Sequence, residues 1–300
     1  PNHSEWPLVF MTVLTQISFG GFTAILLGEF ARLFGFDLPS ANIWMMIAVF
    51  IPTALGLPLS ALHLGRPRLA HTAMKNIKTS WLSREALALG LYAVGLVFII
   101  ALYFFEANEK IKFLFELLVF SLGAYGIYSQ SMIYRIKARP SWNRKETTNI
   151  FFNVGYIGLV LVGMLLVIFE AYSSALVLIP AGMFVAFLQF QEYTKEVDFY
   201  KYLSNSEKNF YQLNKTKILY EEFFAKQKDF RAKSLIVGAF ILPILSMLFI
   251  ASGSYSWAII FLGLSCVISF SSEIISRLLF YKTAVALGLA GNFFMGNQRG

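Results

Sequence analysis

An all-α bundle of eight membrane-spanning helices is what the sequence predicts, and three observations predict it. Hydrophobic residues make up 57% of the 300 residues and charged residues only 14%, whereas a soluble globular chain carries roughly 25% charge. Eight runs reach the length of about 20 mainly apolar residues that a helix needs to cross a bilayer. The runs are continuously apolar rather than alternating, so each satisfies its own backbone as a helix and none reads as a barrel strand. The same composition excludes a disordered or collagen-like chain. The single cysteine, Cys266, permits no internal disulfide. It also excludes an iron–sulfur cluster held by this chain alone, because such clusters take about four cysteine ligands.

In chain order the runs are residues 7–33, 42–62, 83–105, 112–136, 148–170, 173–189, 232–251 and 255–282. The first lacks a basic leading region and is too long for a signal core, so it reads as a span. Ser4 and Glu5 suit the cap before it, and Pro7 suits a first helical turn. Gly20 and Gly21 in the first run, and Gly155, Gly158 and Gly163 in the fifth, allow close helix approach in lipid. Pro52 and Pro58 interrupt the second run and predict a kink. The sixth run is short, with Pro180 near its start. The stretch 192–231 mixes both signs of charge with aromatic residues. Phe210, Leu213, Lys217, Tyr220 and Phe224 recur there at helical spacing, which predicts one or two amphipathic helices inserted into a single transmembrane domain over residues 1–300.

Eight spans place both termini on one side of the membrane, here called the terminal side. Of the 25 lysines and arginines, only Arg32, Lys110 and Lys112 fall on the opposite side. By the positive-inside rule the terminal side is cytoplasmic; a face that docks a protein partner is basic for that other reason. The long loops also lie on the terminal side, which suggests that something docks there.

Ionisable residues inside or beside apolar runs carry the chemistry. The strongest constellation is Leu62-His63-Leu64-Gly65-Arg66-Pro67, closing the second run, followed by Ser80-Trp81-Leu82-Ser83-Arg84-Glu85, opening the third. Neighbouring helices joined by such a loop bring His63 and Glu85 to similar depth. His63 exchanges a proton near neutral pH, and Glu85 is costly to bury ionised without a partner. A histidine and a carboxylate flanking a ring-sized cleft suit quinol oxidation, which needs an acceptor for each hydroxyl proton. His63 also suits an interfacial cap, and Glu85 also suits the dipole of its helix. Glu273, Arg277 and Tyr281 repeat at i, i+4, i+8 on the last run; the spacing allows an internal Glu–Arg pair or one wall of the same cleft. Gln16, Tyr128, Gln130 and Trp142 are further polar candidates. Arg66, Arg68, Lys75, Lys78 and Arg84 read as positive-side anchors or as a docking surface. Of the three histidines (His3, His63 and His71), only His63 adjoins a span. No haem is therefore expected, no metal-ligand spacing appears, and a chain of this kind that handles electrons must bind a diffusible carrier.

The chain resembles the membrane anchor subunits of dimethyl sulfoxide reductases, within the wider group of eight-helix quinol-interacting anchors. Four segments carry the resemblance: Ser4-Glu5-Trp6-Pro7-Leu8 with Gln16 and Gly20-Gly21; Leu62-His63-Leu64-Gly65 with Pro67 and Ala70; Leu82-Ser83 with Glu85; and Glu273-Ile274-Ile275-Ser276-Arg277 with Phe280-Tyr281. The resemblance covers most of the chain and is weakest over 192–231. It implies an anchor in the bacterial inner membrane that oxidises menaquinol to menaquinone. It also implies two partner subunits, one carrying iron–sulfur clusters and one a molybdenum bis-pterin cofactor. The family's important histidine falls on His63 and its important acid on Glu85. Gln16, Arg66, Glu273, Arg277 and Tyr281 join them as quinol-binding candidates, Arg66 by its place beside His63 alone. Arg68, Lys75, Lys78 and Arg84 are the docking candidates. Two competing classes are a secondary transporter and a purely structural anchor. Transporters show internal repeats and midplane polar residues; here no repeat is evident and the ionisable residues gather at one face.

Overall fold

The structure, a computed structural model, describes residues 5–36, 38–63, 76–203 and 210–287, without the side chains of residues 61–63 and 210. Its helices are α1 (Trp6–Leu33), α2 (Ile43–His63), α3 (Trp81–Phe104), α4 (Glu109–Met132), α5 (Glu146–Asn153), α6 (Tyr156–Ile168), α7 (Tyr172–Tyr202), α8 (Phe210–Ile218), α9 (Ala225–Ile236), α10 (Leu242–Ala251) and α11 (Tyr255–Lys282). No strand occurs among the described residues. Eight helical stretches are long and apolar enough to cross a membrane: α1, α2, α3, α4, α5 with α6, α7, α9 with α10, and α11. The fold is all-α, as its composition requires.

The first helix is the axis of the bundle. The apolar stretch of α1 is 78% buried against 28% for α2, α3 and α4, so the others are arranged around it. Glycines make that possible. A Cβ on Gly20 would overlap the Gly155 backbone, and one on Gly158 would overlap the backbone of Ile17 and Gly21. The α1 and α6 backbones therefore touch, which is how helices gain van der Waals contact in lipid. The fifth span, expected to be continuous, breaks between α5 and α6 at Val154–Gly155. Gly155 is the residue that meets Gly20, so the break lies at the point of closest crossing. α2 by contrast stays helical through Pro52 and Pro58.

The four turns on the opposite side share one device. Each returns an N–H to a carbonyl five residues back: Phe36 to Ala31, Ala107 to Leu102, Ala171 to Leu166 and Ser254 to Phe249. This is the Schellman closure of a helix C-terminus, which needs a left-handed residue. Gly35 and Gly253 supply it at φ 88° and 76°, and Glu106 and Glu170 adopt it at 49° and 61°. On the same side Arg32 bridges Glu29 and Glu109, each at 2.9 Å, and Lys112 lies over the Tyr103 ring.

The terminal side is built differently. α7 runs thirteen residues past the predicted end of its span, to Tyr202. Good helix formers such as Gln191, Glu192, Lys195 and Glu196 continue it where the apolar run stops. α8, a π-helical turn at Leu219–Phe223 and α9 lead back into the seventh span, which carries a second π-turn at Val237–Ile241. Tyr200 and Tyr220 stack face to face at 3.8 Å and tie the extension together. The charged stretch after the sixth span thus prolongs the transmembrane helices. Ser80 caps α3 by accepting from the Ser83 N–H at 3.3 Å, while Glu5 makes no side-chain cap on α1.

Candidate functional site

At the terminal end of the bundle, four helices contribute one side chain each to a buried polar chain. Glu85 lies one turn into α3 and is 5% exposed. Gln130 of α4 hydrogen-bonds its carboxyl. Gln130 Oε1 accepts from Gln16 Nε2 of α1 at 2.6 Å, and Gln16 Oε1 accepts from Arg277 of α11 at 2.8 Å. Gln16 and Gln130 are fully buried. The polarity of this chain is fixed by its ends: a guanidinium only donates and a carboxylate only accepts, so both amides have one allowed orientation. Arg277 and Glu85 thus stand at opposite ends of one polar chain, two amides apart and not in contact. The guanidinium also sits 3.7 Å over the Phe151 ring, a cation–π contact that offsets part of its desolvation.

Beside the chain lies an aromatic cluster of Tyr134, Trp142, Phe151, Phe280 and Tyr281. Trp142 Nε1 donates to the Phe280 carbonyl at 2.6 Å, so Trp142 fastens the loop after α4 to the end of α11. Tyr281 donates to the Tyr134 hydroxyl at 3.0 Å. Burial holds the Tyr134 phenol well above its ordinary range, with Tyr281 and Glu85 adding to the shift and Arg277 opposing it. Tyr281 also lines a polar cavity of about 570 Å3 on the terminal side, together with Glu5, Trp6, Arg139, Phe223 and Lys282.

The structure thus brings Gln16, Glu85, Arg277 and Tyr281 together, with Gln130. It separates Glu273 from them. The i, i+4 spacing allows a Glu273–Arg277 pair, yet Glu273 pairs with Arg231 of α9 at 2.9 Å and accepts from Gln189 of α7 at 3.1 Å. Arg231 also donates to Ser272 at 2.7 Å. The helix face is shared, but α9 reaches Glu273 first and α1 captures Arg277. Arg84 donates to the Ile77 and Lys78 carbonyls at 2.8 Å and lies 4.3 Å over Trp81, so it closes its own turn; Lys78 is exposed. His63 is the last residue of α2, and its side chain, with Arg66, Arg68 and Lys75, lies outside the described residues. The cleft expected between His63 and Glu85 likewise falls outside the described residues. Tyr128 stacks edge-on against Trp81 and joins no polar chain in the described set. Arg231, Gln189 and Tyr134 were not singled out from sequence; an arginine just before an apolar run was the available signal for the first.

Among the described residues no group of three or more His, Cys, Asp or Glu gathers to hold a metal. The arrangement is suited to holding and moving protons at a buried carboxylate.

Comparison with known proteins agrees with the segments that carry the resemblance. Residues 2–283 match the family model described as DMSO reductase anchor subunit (DmsC). The anaerobic dimethyl sulfoxide reductase subunit YnfH of Escherichia coli (strain K12) is 29% identical over 149 residues, covering 49% of this sequence and 52% of the relative. A second anaerobic dimethyl sulfoxide reductase subunit of the same organism is 26% identical over 180 residues, covering 59% and 63%. The matched stretches therefore span between half and two thirds of these relatives' length. With nearly all of its sequence under that family model and eight helices long and apolar enough to cross a membrane, the chain belongs to the DMSO reductase anchor subunit family.

Proposed function

We propose that this chain is the membrane anchor and menaquinol-oxidising subunit of a molybdenum-dependent respiratory reductase of the bacterial inner membrane. Its partners are an iron–sulfur subunit and a molybdenum bis-pterin catalytic subunit; the latter sets the terminal acceptor, for which dimethyl sulfoxide is the candidate that the relatives' names supply. The observation that carries the reading is the buried Glu85 carboxyl, joined to Gln130, Gln16 and Arg277 in one polar chain.

Each menaquinol gives up two electrons and two protons. The electrons leave to an iron–sulfur cluster of the partner. The protons need acceptors at the ring hydroxyls, and Glu85 and His63 take that role. A carboxylate buried in lipid is expensive. The Gln130 hydrogen bond offsets part of that cost, and no cation among the described residues occupies the carboxylate oxygens as a direct ion pair would. Glu85 therefore stays available to accept a proton from substrate.

Binding of a fluorescent or tight quinone analogue to the purified complex tests the reading. The wild-type complex is expected to bind about one equivalent. His63→Ala and Glu85→Gln are expected to weaken binding at least about tenfold, a change of roughly 1.4 kcal/mol, while an artificial donor still drives the complex at the normal rate. Unchanged analogue affinity in both variants contradicts the site assignment.

A further inference from the structure

The end of the bundle away from Glu85 holds two adjoining cavities. The first, of about 380 Å3, lies between α1, α6, α7 and the loop that joins α1 to α2. Its wall runs inward from Ala31 to Ala24 on α1 and from Ser173 to Ala181 on α7, about 10–12 Å at the α-helical rise. The deep end is apolar, with Ala24, Ile25, Val162, Leu178 and Ala181. The polar groups sit toward the outer end: Glu29, Ser173 and Ser174, whose Oγ is buried with no hydrogen-bond partner among the described residues. The second cavity, of about 370 Å3, shares Glu29 and Leu38 with the first and adds Arg32, Gly35, Phe36 and Glu109. Its mouth is fixed in advance. Glu29 accepts from the Ala41 N–H at 3.0 Å and from Arg32 at 2.9 Å, and Arg32 donates on to Glu109 at 2.9 Å. Trp44, exposed in the first turn of α2 and next to Met45 of the first cavity's wall, is the residue type that marks the headgroup level of a bilayer.

An apolar slot that opens into a charged vestibule at headgroup level fits an amphiphile lying tail inward. We propose that the two cavities together hold one phospholipid whose head carries a primary ammonium, of the phosphatidylethanolamine class. One acyl chain fills the slot beside α1, where the side chains leave a gap. Charge selects the head. Glu29, Glu109 and Arg32 leave one negative charge unmatched among the described residues. An ammonium answers that charge and donates hydrogen bonds to carboxylate oxygens. A choline head carries the charge without the donors, and an anionic head adds a second unmatched negative charge. Arg32 spends two of its five N–H donors on the two carboxylates, and the others suit the lipid phosphate. The free Ser174 hydroxyl suits an ester carbonyl. A quinone ring offers only acceptors, which two carboxylates cannot serve. The proposal is independent of the quinol-oxidising reading, because Glu85 lies at the terminal end of the bundle and this site at the other.

Native mass spectrometry of the protein, purified with its partners, tests the proposal. The sample is exchanged into detergent micelles doped in turn with phosphatidylethanolamine, phosphatidylcholine and phosphatidylglycerol of identical acyl chains. The expected result is one retained ethanolamine lipid per chain, held at least about fivefold more tightly than either competitor. Gly28 lines the slot, and a Cβ placed there meets nothing within 4 Å. Gly28→Leu therefore fills the slot from its own wall, and is expected to lower lipid retention about tenfold. Glu109→Gln, at an exposed position, is expected to keep the lipid but to cut the preference over phosphatidylglycerol to about twofold. Val94→Leu, exposed on α3 and outside both cavities, is expected to change neither. Equal retention of the three lipids overturns the proposal, as does unchanged retention in Gly28→Leu. A wild-type head preference in Glu109→Gln also overturns it, and decides the matter if Gly28→Leu fails to assemble. A menaquinone retained in place of the phospholipid, and lost in Gly28→Leu, overturns it in favour of a quinone site. None of these outcomes bears on the role of Glu85.

Discussion

Two buried arginines, both committed to the last transmembrane helix, meet opposite fates. Arg231 is 3% exposed and touches its carboxylate directly, Glu273 at 2.9 Å, with Ser272 and Gln189 completing the cluster. Arg277 is 2% exposed and has no carboxylate among its hydrogen-bond partners in the described set; it is linked to Glu85 through Gln16 and Gln130. A direct pair neutralises both charges and fastens α9 to α11. A separated pair leaves the acid open to a second partner. The first arrangement is a latch, and the second keeps a carboxylate ready for protons.

The comparison breaks most visibly at the latch. Arg231→Met leaves Glu273 buried and unpaired, which costs about 3–5 kcal/mol. The expected readout is a marked drop in folded, assembled complex in membranes or detergent. The double variant Arg231→Met with Glu273→Leu is expected to recover most of the loss, because a well-packed apolar replacement of a buried pair is often neutral. If the single variant assembled normally, the direct pair would not be the fastening.

The separated pair is expected to respond in function before stability. Arg277→Met removes the donor at the far end of the chain, and quinol-driven turnover is expected to fall about tenfold, a change of roughly 1.4 kcal/mol in the barrier. Assembly, read by the artificial-donor rate, is expected to survive. Gln16→Leu cuts the same chain in its middle and leaves Gln130 and Arg277 each short of a partner, at about 1–3 kcal/mol. Its pattern is expected to follow that of Arg277→Met. A loss in Arg277→Met without any loss in Gln16→Leu would mean that Arg277 acts by another path. The smallest effect is expected at the start of α3. Ser80→Ala removes the cap one turn before Glu85 and costs about 1 kcal/mol. It sharpens the comparison because it loosens the Glu85 turn and leaves the Arg231 latch alone.

The spans were legible because lipid demands continuous apolar helices, and residues 255–282 were bounded as they are in the structure. The break at Val154–Gly155 was not, since it depends on which helix crosses there. Nor was the length of α7, whose charged second half folds as helix through contacts such as Tyr200 on Tyr220. At the site, Gln16, Glu85, Arg277 and Tyr281 were recognisable as polar residues out of place in apolar helices, and the structure groups them. Their pairing was not recognisable. Spacing along α11 put Glu273 beside Arg277, but partners from α9 and α1 decide where each side chain goes. Tyr134, in the loop after α4, carried no signal of its own.

The central claim is that the Glu85 carboxylate accepts a proton from quinol. The most direct measurement is the ratio of quinol-driven to artificial-donor-driven turnover in one assembled complex, wild type against Glu85→Gln. The amide keeps the shape and the hydrogen bonding to Gln130 but takes no proton. The account predicts that the ratio collapses by about 100-fold or more, as expected for a lost general base, with the artificial-donor rate intact. A ratio equal to that of the wild type would contradict it.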